Sequence, residues 1–228
     1  MDTDAVVGGR QATASAPLRC AVLISGSGSG MEALIRAQQH QTLPHETVVV
    51  VSNNADAAGL QRAAALNTPA EVVAMTDATG HRYGREEHEN LVMECLDRYE
   101  VELVILAGYM RLLSPHFLQR WGQRVVNIHP SLLPHFPGAH AHRDVLAAGA
   151  TISGCTVHLV DEGMDTGPIL AQASVPVLPN DTEASLSQRV KVEEHRLYPE
   201  VITWIAEGKV HLTKARVQVD AREDRLVC

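Results

Sequence analysis

From Arg19 onward, short runs of β-branched and aliphatic residues alternate with stretches whose apolar positions recur every three or four residues. Such runs read as buried strands and such recurrence as amphipathic helices, so the order strand, helix, strand predicts an α/β fold around a mostly parallel central sheet with flanking helices. Residues 19–25 form the first expected strand. Met31, Leu34 and Ile35 then share one helical face, and 47–52, with four consecutive valines, is a second strand, buried on both sides. A helix over 57–67, a strand over 71–75, a helix over 85–99 and strands over 103–107 and 125–129 continue the alternation. A short helix over 141–148 precedes two long extended stretches, 151–160 and 169–177. The Gly- and Asp-rich loop 161–168 between them predicts antiparallel pairing. Asp181 or Thr182 can cap a late helix, in which Pro199 either makes a kink or opens a second helix ending near Gly208. With no internal repeat or linker, residues 1–17 read as a disordered tail, 18–210 as one domain, and 211–228 as a tail or edge strand.

Composition narrows the function classes. The chain has 228 residues, of which 45% are hydrophobic and 20% charged, the make-up of a soluble globular protein. A net charge of −8 and only 4% aromatic residues argue against nucleic acid as a partner, since a basic footprint and stacking rings are both missing. No apolar run approaches the roughly 18 residues of a membrane span, and the acidic start does not resemble a signal peptide. The cytoplasm is therefore the expected location. Cys20, Cys95, Cys155 and Cys228 form no CxxC pair, which points to free thiols.

Two places carry candidate chemistry. Ser25-Gly26-Ser27-Gly28-Ser29-Gly30 joins the first strand to the first helix, where glycines let backbone N–H groups approach an anion at the positive helix end. Its GxGxG spacing is neither a dinucleotide fingerprint nor a Walker loop, so a phosphate cradle and a plain β-to-α turn both remain open. Asn127 and His129, two apart at a strand end, point to one face. An amide and an imidazole there suit an oxyanion formed by attack on a carbonyl, the imidazole also moving protons. Asp165, between Gly163 and Gly167, is a loop carboxylate able to orient that histidine. The alternatives are a strand-end turn residue, a satisfied core histidine and a solvated acidic loop. His135, His140, His142 and His158 match no zinc-ligand spacing, and no metal is expected.

Four segments taken together, VLISGSGSGMEALI, AGYMRLLSP, NIHPSLLPHFPGAHAHRDVL and GMDTGPILAQ, resemble the phosphoribosylglycinamide formyltransferase family from about residue 20 to 210. The resemblance implies a formyltransferase-type, Rossmann-like α/β fold. It also implies transfer of a formyl group from 10-formyltetrahydrofolate, as co-substrate and without a metal, to the amine of glycinamide ribonucleotide in purine synthesis. It makes Asn127, His129 and Asp165 the catalytic trio. Ser27, Gly28, Ser29, Gly30, Lys191 and Glu194 fall on ribonucleotide-binding positions. Arg85, Met110, Arg111, Leu112, Leu113, Asn127, Asp161, Glu162, Gly163, Met164 and Asp165 fall on the folate site. Ser27 and Gly30 stand where the family commonly has asparagine, which shifts phosphate contacts there to backbone N–H groups and serine hydroxyls. Both monomers and homodimers occur in the family. A formyltetrahydrofolate hydrolase would keep the trio but deliver the formyl group to water, usually behind an additional regulatory domain. A methionyl-tRNA formyltransferase would need a further domain and a basic surface. A binding module would hold the ligands without chemistry.

Overall fold

Seven strands, β4-β3-β2-β5-β6-β7-β8 in spatial order, make the central sheet of the computed structural model, which describes residues 5–212 and 217–219. In chain order the elements are β1 (Ala5–Val6), β2 (Leu18–Ile24), α1 (Ser29–His40), β3 (His45–Ser52), α2 (Ala58–Ala65), β4 (Ala70–Val72), α3 (Arg85–Arg98), β5 (Leu103–Leu106) and α4 (Pro115–Trp121). Then come β6 (Val125–His129), α5 (Ala141–Ala147), β7 (Ile152–Leu159), β8 (Ile169–Pro176), α6 (Glu183–Ala206), β9 (Val210–Leu212) and β10 (Val217–Val219). Pairing is parallel from β4 through β6 and antiparallel from β6 to β7 and from β7 to β8. The mostly parallel sheet and the antiparallel pairing of the last two long strands agree with the sequence pattern.

The period of two along β2 divides the core into layers. Cys20, Val22 and Ile24 pack into one apolar cluster with α1 and α6, while Ala21 and Leu23 join the other with α3 and α4. Each fully buried aliphatic side chain contributes about 1.5–3 kcal/mol, so the central strands hold both helical layers. Thr182 caps α6 by accepting the Ser185 N–H at 3.2 Å. The helix then runs 24 residues through Pro199 without a second helix opening there. The Thr203 hydroxyl donates to the Pro199 carbonyl at 2.9 Å.

Two departures from the pattern are instructive. Residues 5–17, expected as a tail, are built into the fold. The β1 strand pairs with β9 in a small sheet of order β1-β9-β10, Val7 is fully buried, and the Arg10 guanidinium donates to both Glu102 carboxylate oxygens at 2.5 and 2.7 Å. These partners are distant in sequence, and a two-residue strand has no period to read. Helix α4 was not expected either. Ser114 followed by Pro115 is a helix start that sequence reasoning passed over, with Ser114 accepting the Phe117 N–H at 3.3 Å. At the far end, β9 is the middle strand of this small sheet and β10 its edge, while residues 213–216 and 220–228 of the segment expected as a tail or edge strand lie outside the described part.

Candidate active site

The carboxyl ends of the parallel strands open into a cavity of about 630 Å³, the expected ligand position in an open α/β sheet. Its floor is β6. Asn127 and His129 both line the cavity from this strand, as alternation along a strand requires, and Asp165 reaches it from the β7–β8 loop. The antiparallel register sets Asn127 directly opposite His158 and His129 opposite Thr156.

Hydrogen bonds fix the protonation logic. His158 Nδ1 lies 2.8 Å from the Leu159 carbonyl, which requires the hydrogen on Nδ1. Its Nε2 faces the Asn127 amide nitrogen at 3.1 Å and Asp165 Oδ1 at 3.7 Å, accepting from the first when the ring is neutral and donating to the second when it is protonated. This assignment from partners orients the Asn127 amide, leaving its second N–H for the cavity. His129 Nε2 donates to the Phe136 carbonyl at 2.9 Å, and its Nδ1 lies 3.2 Å from Asp165 Oδ2. Both ring nitrogens therefore face acceptors, and only the imidazolium donates to both. Burial pulls the His129 pKa below its ordinary value, while the Phe136 carbonyl and Asp165 pull it upward. Burial alone would raise the Asp165 carboxyl. His158, the Gly138 N–H at 2.8 Å and His129 outweigh it and hold that carboxyl below its ordinary value. Asp165 adopts a left-handed φ of 57°, a conformation that Asp tolerates better than most residues and that turns its carboxylate back to the histidines.

The loop after β6 is anchored from behind. The Thr156 hydroxyl donates to the Ser131 carbonyl at 2.6 Å and accepts the Leu133 N–H at 3.0 Å, while the Gln172 amide donates to Leu133 O and Thr156 Oγ1. This network fixes the segment that supplies Phe136 O to His129.

One end of the cavity is formed by Ser27, Gly28, Ser29 and Gly30 at the start of α1, with Lys191 and Glu194 on α6. Gly28 takes φ 68°, and a Cβ there would stand 2.8 Å from the Gly59 Cα, so only glycine fits this tight turn. The free N–H groups of the first helical turn and Lys191 suit a phosphate. Removal from water pushes the Glu194 carboxyl up to about 7, with Lys191 pulling the other way.

Met110, Arg111, Leu112 and Leu113 form a further wall, and Asp161, Gly163 and Met164 also line the cavity. Met110 and Leu112 are exposed, an apolar face open to a flat ligand. The Ser25 hydroxyl accepts the Met110 N–H at 2.9 Å, tying this wall to the glycine turn. Arg85 and Glu162 do not line the cavity. Arg85 is exposed at the first residue of α3 and Glu162 is exposed on its loop; each is one position along a polar segment, where sequence order does not fix which side chains point inward. Sequence reasoning missed His158 and Tyr198, which also line the cavity. His158 was visible only as one of several histidines, and pairing 151–160 with the fifth strand would have set it against Asn127.

An amide, an imidazole and a carboxylate at strand ends, lining one cavity with an anion-competent turn and an apolar wall, suit a group transferase acting on a carbonyl-level carbon. The chain belongs to the formyl transferase family, whose sequence model matches residues 18–202, and within it to the phosphoribosylglycinamide formyltransferases. The phosphoribosylglycinamide formyltransferase of Escherichia coli K12 is 39% identical over 203 residues, covering 88% of this chain and 93% of that protein. The crystal structure of glycinamide ribonucleotide transformylase 1 from Symbiobacterium toebii superposes with a TM-score of 0.84 at 43% identity, covering 89% of this chain and 94% of that one. The trifunctional purine biosynthetic protein adenosine-3 of Drosophila pseudoobscura pseudoobscura is 44% identical over 208 residues; the match takes in 90% of this chain but 15% of that much longer protein.

Proposed function

We propose that this chain transfers the formyl group of 10-formyltetrahydrofolate to the amine of glycinamide ribonucleotide, giving the formylated ribonucleotide and tetrahydrofolate in the cytoplasm. The observation that carries this reading is the convergence of Asn127, His129 and Asp165 on one cavity that a phosphate-competent turn and an apolar wall also line. The phosphate sits on the N–H groups at the start of α1 and beside Lys191. Glu194 accepts from the amine or ribose hydroxyls, and the pterin lies along the wall 110–113.

The amine attacks the formyl carbon, and the carbonyl oxygen becomes an oxyanion. The free N–H of Asn127 donates to it, and His129 in its cationic form places positive charge beside it; preorganised donors of this kind contribute about 3–4 kcal/mol each to the transition state. Asp165 stabilises that cation and accepts the proton the amine loses, directly or through water. The proton passes to the folate nitrogen as the carbon–nitrogen bond to it breaks. His158 keeps the Asn127 amide turned with its donor inward.

The test mixes purified protein with 10-formyltetrahydrofolate, with and without glycinamide ribonucleotide, and follows tetrahydrofolate, formate and the formylated product by absorbance and mass spectrometry. Turnover only with the ribonucleotide supports the transferase. Ribonucleotide-independent formate release would make the chain a hydrolase instead, and tight binding of both ligands with no product would make it a binding module.

A further inference from the structure

Tyr198 is buried, lines the cavity and has no part in the chemistry above. Its hydroxyl lies 2.8 Å from the Leu106 carbonyl and 3.0 Å from the Val126 carbonyl. One O–H carries one hydrogen, so this is a three-centre bond shared by the last residue of β5 and the residue before Asn127 on β6. Leu106 leads into Ala107–Leu113, the apolar wall, and Val126 leads into Asn127. On α6, Lys191, Glu194 and Tyr198 are spaced by three and four residues, which puts them on one helical face. A single hydroxyl therefore joins the ribonucleotide end, the folate wall and the oxyanion donor. Burial pushes the phenol well above its ordinary pKa, so it stays a donor at working pH.

We infer that Tyr198 is a positioning residue for formyl transfer, fixing α6 and its bound ribonucleotide at the distance from β5 and β6 that brings the amine onto the formyl carbon. The inference rests on the transferase reading. It predicts an effect on the chemical step rather than on binding, because both binding ends stay intact when the hydroxyl is removed while their relative placement loosens; a misplacement near 1 Å is enough for about a hundredfold loss of rate.

The variant is Tyr198→Phe, which keeps the ring and its packing. The expected result is a fall in kcat of about tenfold or more with both KM values within about threefold of the parent. Backbone amide exchange should accelerate over 107–113 and 127–129 but not over α1 or β3. Ile202→Val, one turn along α6 and fully buried, is the control: it lowers the melting temperature through lost packing and leaves kcat unchanged. The inference is overturned if Tyr198→Phe behaves like Ile202→Val, if its KM values rise in proportion to the loss in kcat/KM, or if it fails to fold, since the hydroxyl would then serve the fold as a whole. Absence of transfer by the parent protein would refute the transferase reading separately, and unchanged amide exchange would still refute the link from Tyr198 to the strand ends.

Discussion

The proposed role of Glu194 in ribonucleotide binding sets affinity against stability, and the conflict is measurable. Its side chain is mostly withdrawn from water, and its carboxyl rises from an ordinary 4.5 to about 7; among the described residues only the charge of Lys191 works against this loss of hydration. A carboxyl whose folded pKa exceeds the unfolded one binds its proton more tightly in the folded state. Its contribution to stability is therefore complete below pH 4.5 and is lost as pH rises to about 7. The full span corresponds to about 3 kcal/mol, and partial exposure to the cavity screens this toward about 2 kcal/mol. Glu194→Gln removes the charge and keeps the shape. Urea unfolding at a series of pH values should show the two proteins matched near pH 4.5, the variant gaining with each step, and a constant advantage of about 2 kcal/mol above pH 7. The same variant should bind glycinamide ribonucleotide about tenfold or more weakly, because a charge-assisted hydrogen bond contributes about 1.5–3 kcal/mol. A variant no more stable than the parent at pH 8, or a stability difference that does not change between pH 5 and 7, would refute the argument.

Other consequences follow from individual groups. His45 is buried between Gln38 and Thr203, and burial pushes its pKa down to about 4; the unfolded imidazole protonates first, so about 3 kcal/mol of stability is lost as pH falls from 6.5 to 4, and His45→Gln should flatten that limb in urea unfolding, a slope as steep as the parent's being the contrary result. Asp165→Asn removes the carboxylate that pulls the His129 pKa upward, so NMR titration of the imidazole should move to lower pH while kcat falls about a hundredfold or more; an unmoved titration would break the link between the two residues. His158→Phe takes away the acceptor that orients Asn127, and kcat should fall about tenfold with little change in either KM, whereas a normal kcat would show that the amide holds its orientation unaided. Arg10→Ala breaks a half-exposed ion pair that ties the first segment to Glu102, and chemical denaturation should report a loss of about 1 kcal/mol with unchanged turnover.

What the sequence made legible was whatever obeys a short period. Short apolar runs marked the buried strands, and the period of two along β6 is why the shared direction of Asn127 and His129 could be read without coordinates. The glycine turn was legible as a turn, and its opening onto the same cavity as the trio needed the fold. Contacts between distant segments left no period. The strand Ala5–Val6 is recognisable only beside Val210–Leu212, and His158 only beside Asn127.

The same distinction separates the trio from the groups that hold it in place. Asn127, His129 and Asp165 are polar residues at strand ends and on a Gly-flanked loop, where a polar group stands out against its surroundings. Thr156, Gln172 and Tyr198 lie inside strands or on a helix, and each reads as ordinary pattern until its partner is known. Yet Thr156 and Gln172 hold the loop that presents Phe136 O to His129, and Tyr198 spans the two strand ends. A chain can thus display its candidate reacting groups in sequence while the geometry they would need, on which rate depends at the ångström scale, is carried by residues whose significance is purely tertiary.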